Sequence, residues 1–83
     1  MVVDKVDVGG RDRLLGKIMD LSNSHNLTRK ETVILNHLAV GDNAKEISKK
    51  EGITYQTARW YIKQIYQKIG ISKQTELMWH LLS

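Results

Sequence analysis

The sequence predicts an all-α fold, a bundle of four short helices between residues 28 and 82 with a helix-turn-helix at its centre and a further short helix ahead of it. Three observations predict it. Apolar side chains recur every three to four residues from Val33 onward, the period of a helix that buries one face. Capping residues stand just ahead of those runs, and Gly41, Gly52 and Gly70 stand just behind them. Proline, the strongest interrupter of helices, does not occur in the chain.

The first of the four helices opens at "LTRKE", where Thr28 precedes Glu31 by three residues. That is the spacing of a capping box, in which two side chains reciprocally satisfy backbone N–H groups. Val33, Ile34, His37 and Leu38 follow at helical spacing until Gly41, giving about three turns. "DNAKE" repeats the device with Asn43 and Glu46, starting a short helix through Ile47 that stops near Gly52, a residue able to turn left-handed without steric cost. Thr54 caps the third helix, "TYQTARWYIKQIYQKIG". At about 100° per residue, Ala58, Tyr61, Ile62, Ile65 and Ile69 fall on one side, while Gln56, Trp60, Lys63 and Gln67 fall opposite with Arg59 beside them. After Gly70, Ser72 is placed to cap a last helix with a wide apolar face of Leu77, Met78, Leu81 and Leu82.

Ahead of the bundle, "RDRLLGKIMDLSNS" carries Leu14, Leu15, Ile18 and Leu21 at helical spacing, so a short helix is expected near residues 11–22. The opening "MVVDKVDVGG" is expected to be loose, because Gly9 and Gly10 break its alternation and a lone strand has nothing to pair with. The chain then divides into a partly flexible N-terminal arm, residues 1–26, and a helix-turn-helix domain, residues 27–83.

Composition narrows the function. Eighty-three residues make one small domain with a modest core, poorly suited to a deep enclosed active site. The absence of cysteine excludes disulfides and thiolate metal sites and fits a reducing compartment. Apolar runs fall far short of the roughly 20 residues that a membrane span needs, and no signal-peptide pattern opens the chain, which points to a cytoplasmic protein. The initial Met favours a whole protein over the output domain of a longer one. Thirteen basic and nine acidic residues leave a net charge of +4, and its placement says more than its size. Residues 1–26 balance four bases with four acids, whereas residues 27–83 hold nine bases and five acids. Within residues 55–69, Arg59, Lys63 and Lys68 meet no acid at all.

Catalysis finds no support. His25, His37 and His80 lack the spacing to a carboxylate or another histidine that a metal site requires, and His37 on an apolar helical face is expected to be a core residue. No glycine-rich phosphate loop or nucleophile elbow occurs, and "LSNSHN" reads as a loop before the Thr28 cap. No enzyme activity, metal or cofactor is expected.

A short helix, a turn containing Gly52 and a longer basic helix have the organisation of a helix-turn-helix, whose second helix enters the DNA major groove. This reading accounts for a Trp on a face that should meet water. Arg and Lys donate to guanine edges, Gln pairs with adenine, and an aromatic ring packs on a thymine methyl. Gln56, Arg59, Trp60 and Lys63 supply that set. The opposing reading rotates the helix and buries Trp60.

From Leu27 to Met78 the chain resembles the LuxR-type (FixJ- and GerE-like) DNA-binding domain of bacterial transcription regulators. The family pattern runs roughly L-T-x-R-E, G-x-S-N-K-E-I-A, S-x-x-T-V-K and I-x-x-K-L-G. Here the pieces read "LTRKE", "GDNAKEIS", "TYQTAR" and "IYQKIG", in that order and at matching spacing. The resemblance implies that Arg59, Trp60 and Lys63 stand at base-contacting positions, and Thr28, Lys45, Thr57 and Lys68 at or near phosphate-contacting ones. It also implies a dimer contact through the fourth helix, for which Leu77, Trp79 and Leu81 are the candidates. Departures from the pattern are Glu51 at a usual Leu, Ala58 at a usual Val, Tyr61 at a usual His and Gln74 at a common Arg. An unpaired buried carboxylate is costly, so Glu51 is expected to turn outward or to change how its helix docks.

The expected function is sequence-specific binding of double-stranded DNA by a transcription regulator, a homodimer at least on DNA. The alternative is a protein-interaction module that uses the same fold to dock a regulatory protein or RNA polymerase through Trp60 or Trp79.

Overall fold

A computed structural model of the chain describes residues 2–82, with side chains from Arg13 onward. Five helices follow one another: α1 (Val2–Ser24), α2 (Arg29–Ala39), α3 (Ala44–Glu51), α4 (Tyr55–Ile69) and α5 (Gln74–Leu82), with no strand among the described residues.

The caps that start and stop these helices are those the sequence spells out. Thr28 Oγ1 accepts from the Glu31 N–H at 3.1 Å, and Glu31 Oε1 accepts from the Thr28 N–H at 2.8 Å. Asn43 and Glu46 form the same reciprocal pair, both bonds at 2.9 Å. Thr54 Oγ1 accepts from the Thr57 N–H at 3.0 Å and opens α4. Gly52 and Gly70 close α3 and α4 at φ of 65° and 86°, in the left-handed region where a Cβ would be strained.

Ser72 departs from expectation. Its hydroxyl donates to Glu76 Oε1 at 2.8 Å and its N–H donates to the same oxygen at 3.2 Å, so the carboxylate reaches back and the serine does not cap through its own oxygen. Those bonds hold the Glu76 carboxyl below the usual carboxylate range.

The largest difference lies at the N-terminus, where α1 extends well beyond the expected start. Residues 2–10, expected to be loose, continue the helix begun downstream, Gly9 and Gly10 included. Each glycine costs about 1 kcal/mol relative to alanine, yet extending an existing helix avoids the larger cost of nucleating a new one. Met1 and Ser83 lie outside the described residues.

Ile18, Ile34, Leu35, Leu38, Ile47, Ala58, Ile65, Ile69, Leu77 and Leu81 form one buried cluster to which all five helices contribute. Ile18, flanked by the half-buried Leu14 and Leu21, seats α1 on α2 and α5, and the Ser22 and Thr32 hydroxyls share a hydrogen bond across that seam. Leu15 turns outward at 50% exposure. No described helix is long and apolar enough to cross a membrane.

Candidate nucleic-acid interface

α4 packs against both α3 and α2. Its inner stripe is Ala58, Ile65 and Ile69, all buried, with Tyr61 and Ile62 half-buried beside them. Because the apolar residues take one side, the remainder of the 3.6-residue period is forced outward. Gln56, Arg59, Trp60 and Lys63 are all exposed, and all four line one open groove together with Asn43 from the α2–α3 turn and Ser72 from the α4–α5 turn. Trp60 is 55% exposed, which excludes the rotated helix that would have buried it.

Two aromatic contacts restrain these groups. The Trp60 ring meets Tyr61 edge to face, with centroids 5.1 Å apart and planes inclined by 75°. The Arg59 guanidinium lies 5.9 Å from the Tyr55 ring centroid, a cation–π distance. A flat apolar plate and a planar donor therefore stand side by side one turn into a helix that bears no acid.

The four candidate phosphate contacts are scattered more widely. Thr57 in the first turn of α4 accepts a hydrogen bond from the Thr54 hydroxyl at 2.8 Å. Lys45 is exposed in the first turn of α3, and Thr28 is exposed at the start of α2, its hydroxyl engaged in the cap. Lys68 makes a tie within the chain. Its Nζ donates to Glu31 Oε1 at 2.6 Å, tying the end of α4 to the start of α2. The Glu31 side chain is only 6% exposed. Burial pushes its carboxyl up, but the Lys68 and Thr28 hydrogen bonds outweigh that and hold it below its ordinary value. The reason for the tie is desolvation, since a buried carboxylate needs a cation close by and Lys68 supplies it.

Glu51 does not turn fully outward. Its side chain is 22% exposed, with Oε2 at 2.6 Å from His37 Nε2 and Oε1 at 3.8 Å from Lys30 Nζ. His37 is therefore no apolar core residue. Its Nδ1 faces Asp42 Oδ2 at 3.1 Å, and Lys50 Nζ donates to the same oxygen at 2.8 Å. Gln74 bridges the α2 carboxyl end to α5, donating to the Leu38 carbonyl at 2.9 Å and to the Asp42 carbonyl at 3.3 Å. These ties hold α2, α3 and α5 together, and only the unusual places of Glu51 and Gln74 in the pattern hinted at them.

The dimer candidates also divide. Leu77 and Leu81 are 0% and 5% exposed, buried in the core of their own chain. Trp79 is 76% exposed and Leu82 is 82% exposed.

The sequence profile of the GerE family, bacterial regulatory proteins of the luxR family, matches residues 25–81. The chain belongs to the LuxR family. Such domains are typically those of DNA-binding transcription regulators. Within this LuxR-type domain, α3 and α4 are the helix-turn-helix and Gly52 is the turn between them. Comparison with curated proteins and with solved structures gave no match.

Proposed function

We propose that this LuxR-family domain binds double-stranded DNA sequence-specifically as a transcription regulator, with α4 in the major groove. One observation carries the reading: Gln56, Arg59, Trp60 and Lys63 share a single exposed, acid-free face of α4, while the opposite face is locked in the core. Arg59 and Lys63 donate to guanine edges, Gln56 addresses adenine, and the Trp60 ring packs on a thymine methyl. Lys45, Thr57 and Thr28 contact phosphates and fix the register, contributing affinity but no sequence information.

In this reading two copies bind together, and the α5 contact between them rests on Trp79 with Leu82, since Leu77 and Leu81 are spent inside. Two recognition helices then meet half-sites about one helical turn apart. Selection of bound sites from a random DNA pool is the test. Enrichment of a half-site supports the proposal, and an inverted repeat of it supports the dimer. Failure to enrich any sequence, with capture of a polymerase subunit or regulatory protein instead, would favour the interaction module.

A further inference from the structure

We infer that Tyr55 is a positioning residue for Arg59, and through it a determinant of DNA specificity that reads no base itself. The inference rests on the proposed DNA binding. Tyr55 is the first residue of α4 and is 50% exposed, so the core does not account for its ring. The family pattern leaves its position open, the second place of S-x-x-T-V-K, where this chain reads "TYQTAR".

Helix geometry brings the two side chains together. Residues four apart lie on one side of a helix, and long side chains lean back toward the N-terminus, so Arg59 lies over the turn that begins with Tyr55. The central guanidinium carbon stands over the Tyr55 ring, 5.9 Å from its centroid. The ring has a fixed base, because Thr54 Oγ1 accepts from the Thr57 N–H at 3.0 Å and sets the first turn of α4. Arg59 forms no ion pair among the described residues, and α4 carries no acid that could offer one. The Tyr55 ring is the contact that restrains it.

The kind of restraint matters for recognition. A carboxylate would occupy the fork of N–H groups that pairs with guanine O6 and N7. An aromatic ring attracts the cation through its π face, and the guanidinium N–H groups still point outward in their own plane. The side chain is ordered while its reading edge stays open, so less rotamer freedom is lost when DNA docks. Trp60 has a support of another kind, the Tyr61 ring 5.1 Å away, which is itself packed half-buried against the core. Of the two tyrosines, Tyr55 is the one that can be removed without opening the core.

The test is a double-mutant cycle on the full chain with wild type, Y55A, R59A and the double variant, and with Y55F and Y55L as controls. Fluorescence anisotropy reads binding to the site selected from the random pool and to its single-base variants. Y55A should bind the preferred site about two- to fivefold more weakly, the range of an exposed cation–π contact. Its loss of preference should fall on the base pair that R59A also relaxes. In the R59A background the same substitution should change nothing. Y55F keeps the ring and should match wild type, whereas Y55L, apolar but without a π face, should match Y55A. Equal losses from Y55A with and without Arg59 would mean that Tyr55 meets DNA directly, and a Y55F loss as large as that of Y55A would assign the effect to the hydroxyl. Either result overturns the positioning role. Should Y55A fail to fold, Y55L takes its place in the cycle.

A measurement on the free protein separates this inference from the function it rests on. The ring current of Tyr55 should shift the Arg59 side-chain proton resonances in wild type and Y55F, and the shift should vanish in Y55A and Y55L. Identical Arg59 resonances in wild type and Y55A would overturn the contact even if the domain binds DNA as proposed. A ring-current shift in a wild-type protein that binds no DNA would instead defeat the proposed function.

Discussion

The two faces of α4 are made from the same fifteen residues and obey different rules. On the inner face Ala58, Ile65 and Ile69 are fixed by volume, because they fill space that no other side chain can reach. On the outer face Gln56, Arg59, Trp60 and Lys63 meet almost no packing constraint, so their identities are free to be set by what the helix must touch. The inner face explains why the helix forms and where it sits. The outer face explains what it can recognise, and substitutions should separate the two cleanly.

The largest effect is expected at Ile65, which is fully buried at the centre of the inner stripe. Ile65→Ala removes most of the side chain and leaves a cavity, so chemical unfolding monitored by circular dichroism should show a loss of about 2–5 kcal/mol. That is a large share of the roughly 5–15 kcal/mol that holds a small domain together. A loss under about 1 kcal/mol, the range of ordinary surface substitutions, would mean that α4 does not organise the core.

Lys68 sits on the border between the faces and should give the next largest effect. Lys68→Ala strands the buried Glu31 carboxylate with only the Thr28 cap for company, at a cost of about 1–3 kcal/mol at neutral pH. The sign with pH is decisive. Glu31's carboxyl is held low in the folded chain, so the pair stabilises above the ordinary carboxylate range and its contribution vanishes as pH falls. The stability gap between wild type and Lys68→Ala should therefore close below about pH 4. A gap that persists in acid would show that the lysine acts through its aliphatic stem.

On the outer face the order of effects reverses. Arg59→Ala should leave stability within about 0.5 kcal/mol of wild type. Its loss should nevertheless cost about 1–3 kcal/mol of affinity for the preferred DNA and relax the preference at one base pair. Fluorescence anisotropy on a panel of single-base variants measures both. Trp60→Ala should change stability least, again by about 0.5 kcal/mol, because its Tyr61 contact is partial and the ring is largely in solvent. Affinity should fall by clearly more than that. A Trp60→Ala protein that melts early but binds normally when cold would contradict the division of the helix into two faces.

The parts of this molecule that follow from local spacing were readable in the chain. Thr28 with Glu31, Asn43 with Glu46, Thr54, Gly52, Gly70 and the stripe on α4 all act within a few turns, where sequence separation fixes distance. The ties across elements were not readable. Lys68 meets Glu31 across 37 residues and His37 meets Glu51 across 14, and such partners depend on how helices cross, which no spacing rule encodes. The last helix shows the same limit of spacing. Leu77, Trp79 and Leu81 looked alike as apolar residues, but only the docking of α5 decides that two face inward and one faces out. Residues 2–10 are helical in the structure, where a glycine pair argues against starting a helix more strongly than against extending one.

The Glu31–Lys68 tie also sets how the domain responds to ions in solution. A base that neutralises a phosphate expels a condensed counterion, and each such base steepens the dependence of log K on log salt by about 0.9. Counted from sequence, α4 offers Arg59, Lys63 and Lys68, for a slope of about −2.7 from this helix. With the charge of Lys68 already paired to the buried Glu31, two bases remain and the slope from the helix drops to about −1.8. In the proposed DNA binding, a domain that pairs one of its positive charges with its own carboxylate loses less of its grip as the salt concentration rises.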